Sequence, residues 1–138
     1  MSTLITSLTL GALLLSAGFA NALWGAELKA IQTRKTKDVV VTLLNESGQW
    51  TRGRNTFVLE FTSPSSQQPI DVGQVALNTS MSMPGMAPMV ADATLSADKT
   101  PGRYLGTIDF PDSGTRQVTI TWDGPAGKGS TRFSVPVR

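Results

Sequence analysis

The chain has 138 residues, with twelve basic and ten acidic side chains and a net charge of +2. It contains no cysteine and no histidine. This excludes a disulfide framework, a zinc site of thiolates or imidazoles, a histidine-held haem, and Ser-His-Asp or Cys-His catalysis. Charge this close to balance also argues against nucleic acid or an anionic membrane surface as the main partner, and no side chain titrates near neutrality in its unperturbed state.

Residues 2–26 carry no ionised side chain, and Leu4 to Ala20 is mostly apolar with Leu13-Leu14-Leu15 at its centre. Ala20-Asn21-Ala22 has the small-x-small form that signal peptidase cuts, so residues 1–22 read as a signal peptide with cleavage after Ala22. The competing reading is an uncleaved membrane anchor; Thr6, Ser7, Thr9, Ser16 and the glycines up to Gly25 dilute the stretch for that purpose. No cysteine follows it to carry a lipid. Residues 23–138 then form the mature domain.

The mature chain opens with a charged segment (Lys29, Arg34, Lys35, Lys37, Asp38) that reads as a solvated first strand or linker. Val39 to Leu44 is a β-branched and aliphatic strand, ended by the turn Asn45-Glu46-Ser47-Gly48. Phe57, Leu59 and Phe61 alternate with Val58 and Glu60, a period of two with an aromatic inward face. Ser63 to Pro69 is a polar turn region, and strand character resumes at Val72 to Leu77. Ala91 to Ala97 reads as a short strand, Tyr104 to Phe110 as a loosely alternating one, and Val118, Ile120 and Trp122 mark the cleanest alternation in the chain. After the loop Asp123 to Gly127, Phe133, Val135 and Val137 close the chain, with Pro136 placing its end at a sheet edge. About seven short strands with frequent turns and no helical period predict an all-β fold, an immunoglobulin-like antiparallel β-sandwich preceded by an N-terminal signal or hydrophobic helix. Leu95, Pro101, Gly102 and Tyr104 resemble a tyrosine corner, in which the hydroxyl ties back to nearby backbone; an ordinary half-buried aromatic is the alternative.

The sulfur is concentrated. Besides Met1, the methionines are Met81, Met83, Met86 and Met89, within nine residues. Pro84-Gly85 is the preferred central pair of a type II turn, which brings Met83 and Met86 together. Met81 and Met83, two apart, share a side when extended, and Pro88 keeps Ala87 extended so that Met89 can fold back toward the same point. Three or four thioethers can therefore converge. Thioether sulfur is neutral and soft; it suits Cu(I) and Ag(I) and binds Zn(II), Mg(II) or Ca(II) poorly. It also forms no disulfide in an oxidising compartment. Cu(II) would prefer imidazole, and the expected amino terminus Leu23-Trp24-Gly25 lacks the third-position histidine of an amino-terminal copper clasp. The alternative for the methionines is core filling or an adaptable protein contact.

Other sets are weaker. Asp109, Asp112 and Asp123 are the nearest approach to a carboxylate group, but Phe110 to Gly114 is a natural turn. Arg52 and Arg54 flank Gly53 and read as solvated edge charges, Trp122 as core, and Trp50 as partly exposed. No constellation marks an enzyme.

Gly53 to Phe57, Asp71 to Val75, Met81-Ser82-Met83-Pro84-Gly85-Met86, Pro101 to Tyr104 and Trp122 resemble the YtkA-like/FixH-like family of exported or membrane-anchored immunoglobulin-like domains, related to domains attached to CusB-type heavy-metal efflux adaptors. The resemblance covers about residues 28–138. It implies a copper-related exported role with Met81, Met83 and Met86 at matched positions. Members often place a histidine near this loop; here Ala87-Pro88-Met89 stands there instead, which favours a thioether-only Cu(I) site. The expectation is thus a periplasmic or otherwise exported, non-enzymatic copper-binding domain holding Cu(I) or Ag(I) through Met81, Met83, Met86 and Met89. The alternative is a protein-interaction module whose loop docks a membrane efflux or oxidase-assembly component without metal.

Overall fold

The computed structural model describes residues 27–125 and 127–138; the leader expected over 1–22 lies outside the described residues. Nine strands are found among them: β1 (Lys29–Lys35), β2 (Val40–Asn45), β3 (Gly53–Thr62), β4 (Gln74–Met81), β5 (Met89–Asp92), β6 (Thr94–Ala97), β7 (Arg103–Phe110), β8 (Gly114–Gly124) and β9 (Gly127–Val137). They form two antiparallel sheets, ordered β1-β2-β3-β7-β6 and β5-β4-β8-β9. The expected all-β sandwich is observed. The strand count exceeds seven because the charged opening segment pairs as β1 and the stretch Ala91 to Ala97 is divided between β5 and β6.

The period-two pattern sets the faces. In β3, Phe57, Leu59 and Phe61 turn inward and are buried; in β8, Val118, Ile120 and Trp122 do the same from the other sheet. Rings interlock between them: Phe61 meets Trp122 at 5.4 Å between centroids and Tyr104 at 5.7 Å, both edge-on. Such geometry places the positive ring edge on the negative face of its neighbour. Burying each large apolar side chain contributes about 1.5–3 kcal/mol.

Both margins of the sandwich are tied across. On one, the chain leaves the four-stranded sheet at Asp92 and enters the five-stranded sheet at Thr94, with the Ala93 amide donating to the Leu77 carbonyl at 3.0 Å. On the other, Gln32 Nε2 donates to the Ser134 carbonyl at 3.5 Å, from β1 to β9. Pro136 lies on the edge strand β9, as its missing amide requires.

Two side chains depart from expectation. Trp50 is fully buried, with its ring 5.0 Å from Phe110 and 5.6 Å from Phe57. Its backbone is held by the chain end, the Arg138 amide donating to the Trp50 carbonyl at 3.0 Å. The Tyr104 hydroxyl does not tie back to nearby backbone; it donates to the Gly73 carbonyl, at 2.6 Å, pinning the segment that leads into β4.

Candidate metal centre

The four methionines lie on one hairpin. β4 and β5 pair antiparallel with Met81 opposite Met89, Ser80 opposite Val90, Thr79 opposite Ala91 and Asn78 opposite Asp92. Directly paired residues on one face hold their Cβ atoms about 4.5–5.5 Å apart. Asn78 Nδ2 donates to Asp92 Oδ1 at 2.8 Å and locks the far end of the pairing. At the near end, the Met86 amide donates to the Met83 carbonyl at 3.0 Å, and Gly85 sits at φ 72°. This is the turn expected from Pro84-Gly85: proline presets the second position and glycine takes the positive φ of the third.

The methionine backbones are thus brought together as two pairs, Met81 with Met89 by strand register and Met83 with Met86 by the turn. Met81, Met83 and Met89 are half-buried, and Met86 is 71% exposed at the tip. Met89 comes alongside Met81 as the first residue of β5, paired with it by strand register.

Met81 and Met89 project to the inner face of the four-stranded sheet, since each lies two residues along its strand from inward Thr79 or Ala91. Extending the β4–β8 register by one residue sets Met81 opposite Arg116, and Arg116 pairs with Val135 on β9. One cross-strand row therefore reads Met89, Met81, Arg116, Val135. Two residues before Arg116 on the same face, Gly114 leaves room for sulfur: a Cβ built there would lie 2.8 Å from Met81 Sδ.

Arg116 was not singled out by its sequence context. It is fully buried, and its Nη1 donates to the Met89 carbonyl at 3.2 Å and to Thr79 Oγ1 at 3.3 Å. Thr79 Oγ1 in turn donates to the Ala91 carbonyl at 2.9 Å, so threonine and arginine together clasp β4 to β5. The guanidinium carbon stands 5.2 Å from the centre of the Phe110 ring, a cation–π distance. Burial pulls the Arg116 pKa down from its usual value, and the nearby Asp112 charge pulls in the opposite direction. The signal that could have found it is positional: Arg116 shares the inward alternation of Val118, Ile120 and Trp122.

The profile of the YtkA-like family matches residues 33–121. The chain belongs to the YtkA-like family. The match runs from within β1 into β8, so it spans the whole methionine hairpin, Gly114 and Arg116 of this YtkA-like domain. Among solved structures, the chain is similar to a copper-bound variant of FetP from uropathogenic Escherichia coli strain F11, at 7% identity and a TM-score of 0.46, covering 80% of this chain and 91% of that one. No curated protein matches the sequence.

The remaining candidates of this YtkA-like domain are placed elsewhere or apart. Asp112 is exposed in the β7–β8 turn, and Asp123 pairs with Lys128 at 3.9 Å on the opposite end of β8. Among the described residues, no group of three or more carboxylates comes together as a metal site. Arg52 and Arg54 are exposed. Trp50, buried against Phe57 and Phe110, presents no free face to the loop.

Proposed function

We propose that this YtkA-like domain is an exported, non-catalytic copper-binding protein that holds Cu(I), or Ag(I), through Met81, Met83, Met86 and Met89. The single observation that carries the reading is the hairpin itself: strand register and a Pro-Gly turn gather all the sulfur after Met1 at one end of the sandwich. The donor set fits the ion. Neutral thioethers are soft, need no deprotonation and suit a monovalent soft cation. The resemblance to copper-related exported domains supports the same class. The role that follows is carriage, buffering or resistance, with a membrane efflux or oxidase-assembly component as recipient. Export by cleavage after Ala22 places the domain in the periplasm or outside; an uncleaved leader would anchor it to the membrane.

One observation favours a second reading. Met86 and Val90 are the large apolar side chains most exposed among the described residues, at 71% and 66%. A loop of this kind can dock a partner without metal. Titration with Cu(I) against a competing chelator separates the two. The copper reading requires binding that is lost when Met83 and Met86 are both changed to leucine. The docking reading requires no metal binding and a partner contact that survives the same changes, because leucine keeps most of the apolar volume.

A further inference from the structure

Arg116 poses a physical problem that its structural contacts do not resolve. A guanidinium stays protonated in proteins. Here it is fully buried, and the two acceptors it reaches, the Met89 carbonyl and Thr79 Oγ1, are both neutral. Its Nε and Nη2 have no hydrogen-bond partner among the described residues. No carboxylate of the described residues lies within 4.0 Å of it. The Phe110 ring face and the Asp112 charge offset the burial of this guanidinium only in part, and an incompletely compensated buried charge costs folding free energy. The charge sits in the same cross-strand row as Met81 and Met89 and bonds directly to the backbone of Met89. The guanidinium is buried, so its field on an ion at the half-buried Met81 and Met89 is screened less than between two surface charges.

We infer that Arg116 is a specificity-determining residue of the methionine centre: its fixed charge weakens the binding of every cation there and weakens divalent ions more than monovalent ones. The inference rests on the reading of the methionines as a metal site. Softness alone does not separate a soft monovalent ion from a soft divalent one; a fixed positive charge does. The Coulombic penalty is proportional to the charge of the ion. A loss of about tenfold for a monovalent ion therefore becomes about a hundredfold for a divalent ion at the same position. The arrangement gives a loose, monovalent-selective centre, which suits an ion that must be handed on.

The experiment compares Ag(I) with Hg(II), two soft closed-shell ions that differ in charge. Each is titrated into the purified full chain against a competing chelator, with wild type, Arg116→Gln and Asp112→Asn. Arg116→Gln is expected to tighten Ag(I) by about tenfold and Hg(II) by about a hundredfold. Asp112→Asn, on an exposed turn outside the buried clasp, removes the nearby negative charge and is expected to weaken Hg(II) more than Ag(I). Equal factors for the two ions in both the Arg116→Gln and Asp112→Asn variants would overturn the inference and leave Arg116 as a clasp alone. If wild type binds neither ion, the metal reading itself is refuted and the role of Arg116 falls with it.

Discussion

Met81 and Met89 face each other across the β4–β5 hairpin, on the inner face of its sheet and next to the backbone that Arg116 holds. Their separation is fixed by backbone hydrogen bonds of the ladder, not by a flexible loop. Met83 and Met86 depend instead on one turn. The two pairs should therefore respond differently to substitution.

Met86→Leu touches an exposed side chain. It is expected to leave stability within about 0.5 kcal/mol of wild type while weakening Ag(I) binding by roughly tenfold or more. Urea denaturation and a chelator competition on the same preparation measure the two effects. A matching loss of stability would mean that the side chain packs rather than binds.

Gly85→Ala isolates the turn. A Cβ at this position meets nothing within 4 Å, so its cost is the positive φ alone, about 1 kcal/mol. The same substitution should lower Ag(I) affinity, because the Met83–Met86 approach depends on this backbone conformation. Affinity unchanged at reduced stability would show that this pair does not act in binding.

Gly114→Ala combines two penalties. Its φ is 137°, and the added Cβ would press on Met81 Sδ. A loss of about 1–3 kcal/mol is expected by urea denaturation, together with a shift of the Met81 methyl signal that Gly85→Ala does not cause.

The Tyr104 hydroxyl predicts an alkaline limit. Burial, and secondarily the negative charge of Asp71, raise its pKa above the usual 10.0. A phenol whose folded pKa exceeds its unfolded value keeps its full contribution below the unfolded value; that contribution is lost as pH rises from about 10 through the folded pKa. Tyr104→Phe removes the 2.6 Å hydrogen bond to Gly73 and should cost about 1–2 kcal/mol at neutral pH. It should also flatten the decline above pH 10, measured as urea midpoints at about pH 8 and pH 11. A variant as pH-sensitive as wild type would assign the alkaline limit to other groups.

Much of this architecture is legible in the sequence because β-strands expose their period directly. Phe57-Leu59-Phe61 and Val118-Ile120-Trp122 announced their inward faces, and Pro84-Gly85 announced its turn. What was not legible depends on partners distant along the chain. Ala91 to Ala97 looks like one strand, and only the pairing of Ala91 with Thr79 on one side and of Ala97 with Tyr104 on the other divides it between two sheets. Trp50 sits among turn residues; backbone pairing with the chain end at Val137 and Arg138 holds it where its ring packs on Phe57 and Phe110. Arg116 was readable in principle as a charge in an inward register. Its meaning required knowing that the methionine hairpin lies across from it.

The central claim is that the four methionines act on one soft ion, and methyl NMR of protein carrying 13C-methyl methionine tests it most directly. On addition of one equivalent of Ag(I), the signals of Met81, Met83, Met86 and Met89 are expected to shift together and saturate at the same ratio, with affinity unchanged between about pH 5 and 8 because thioethers carry no proton. Signals that stay in place, or that shift only at large excess of Ag(I), would contradict it.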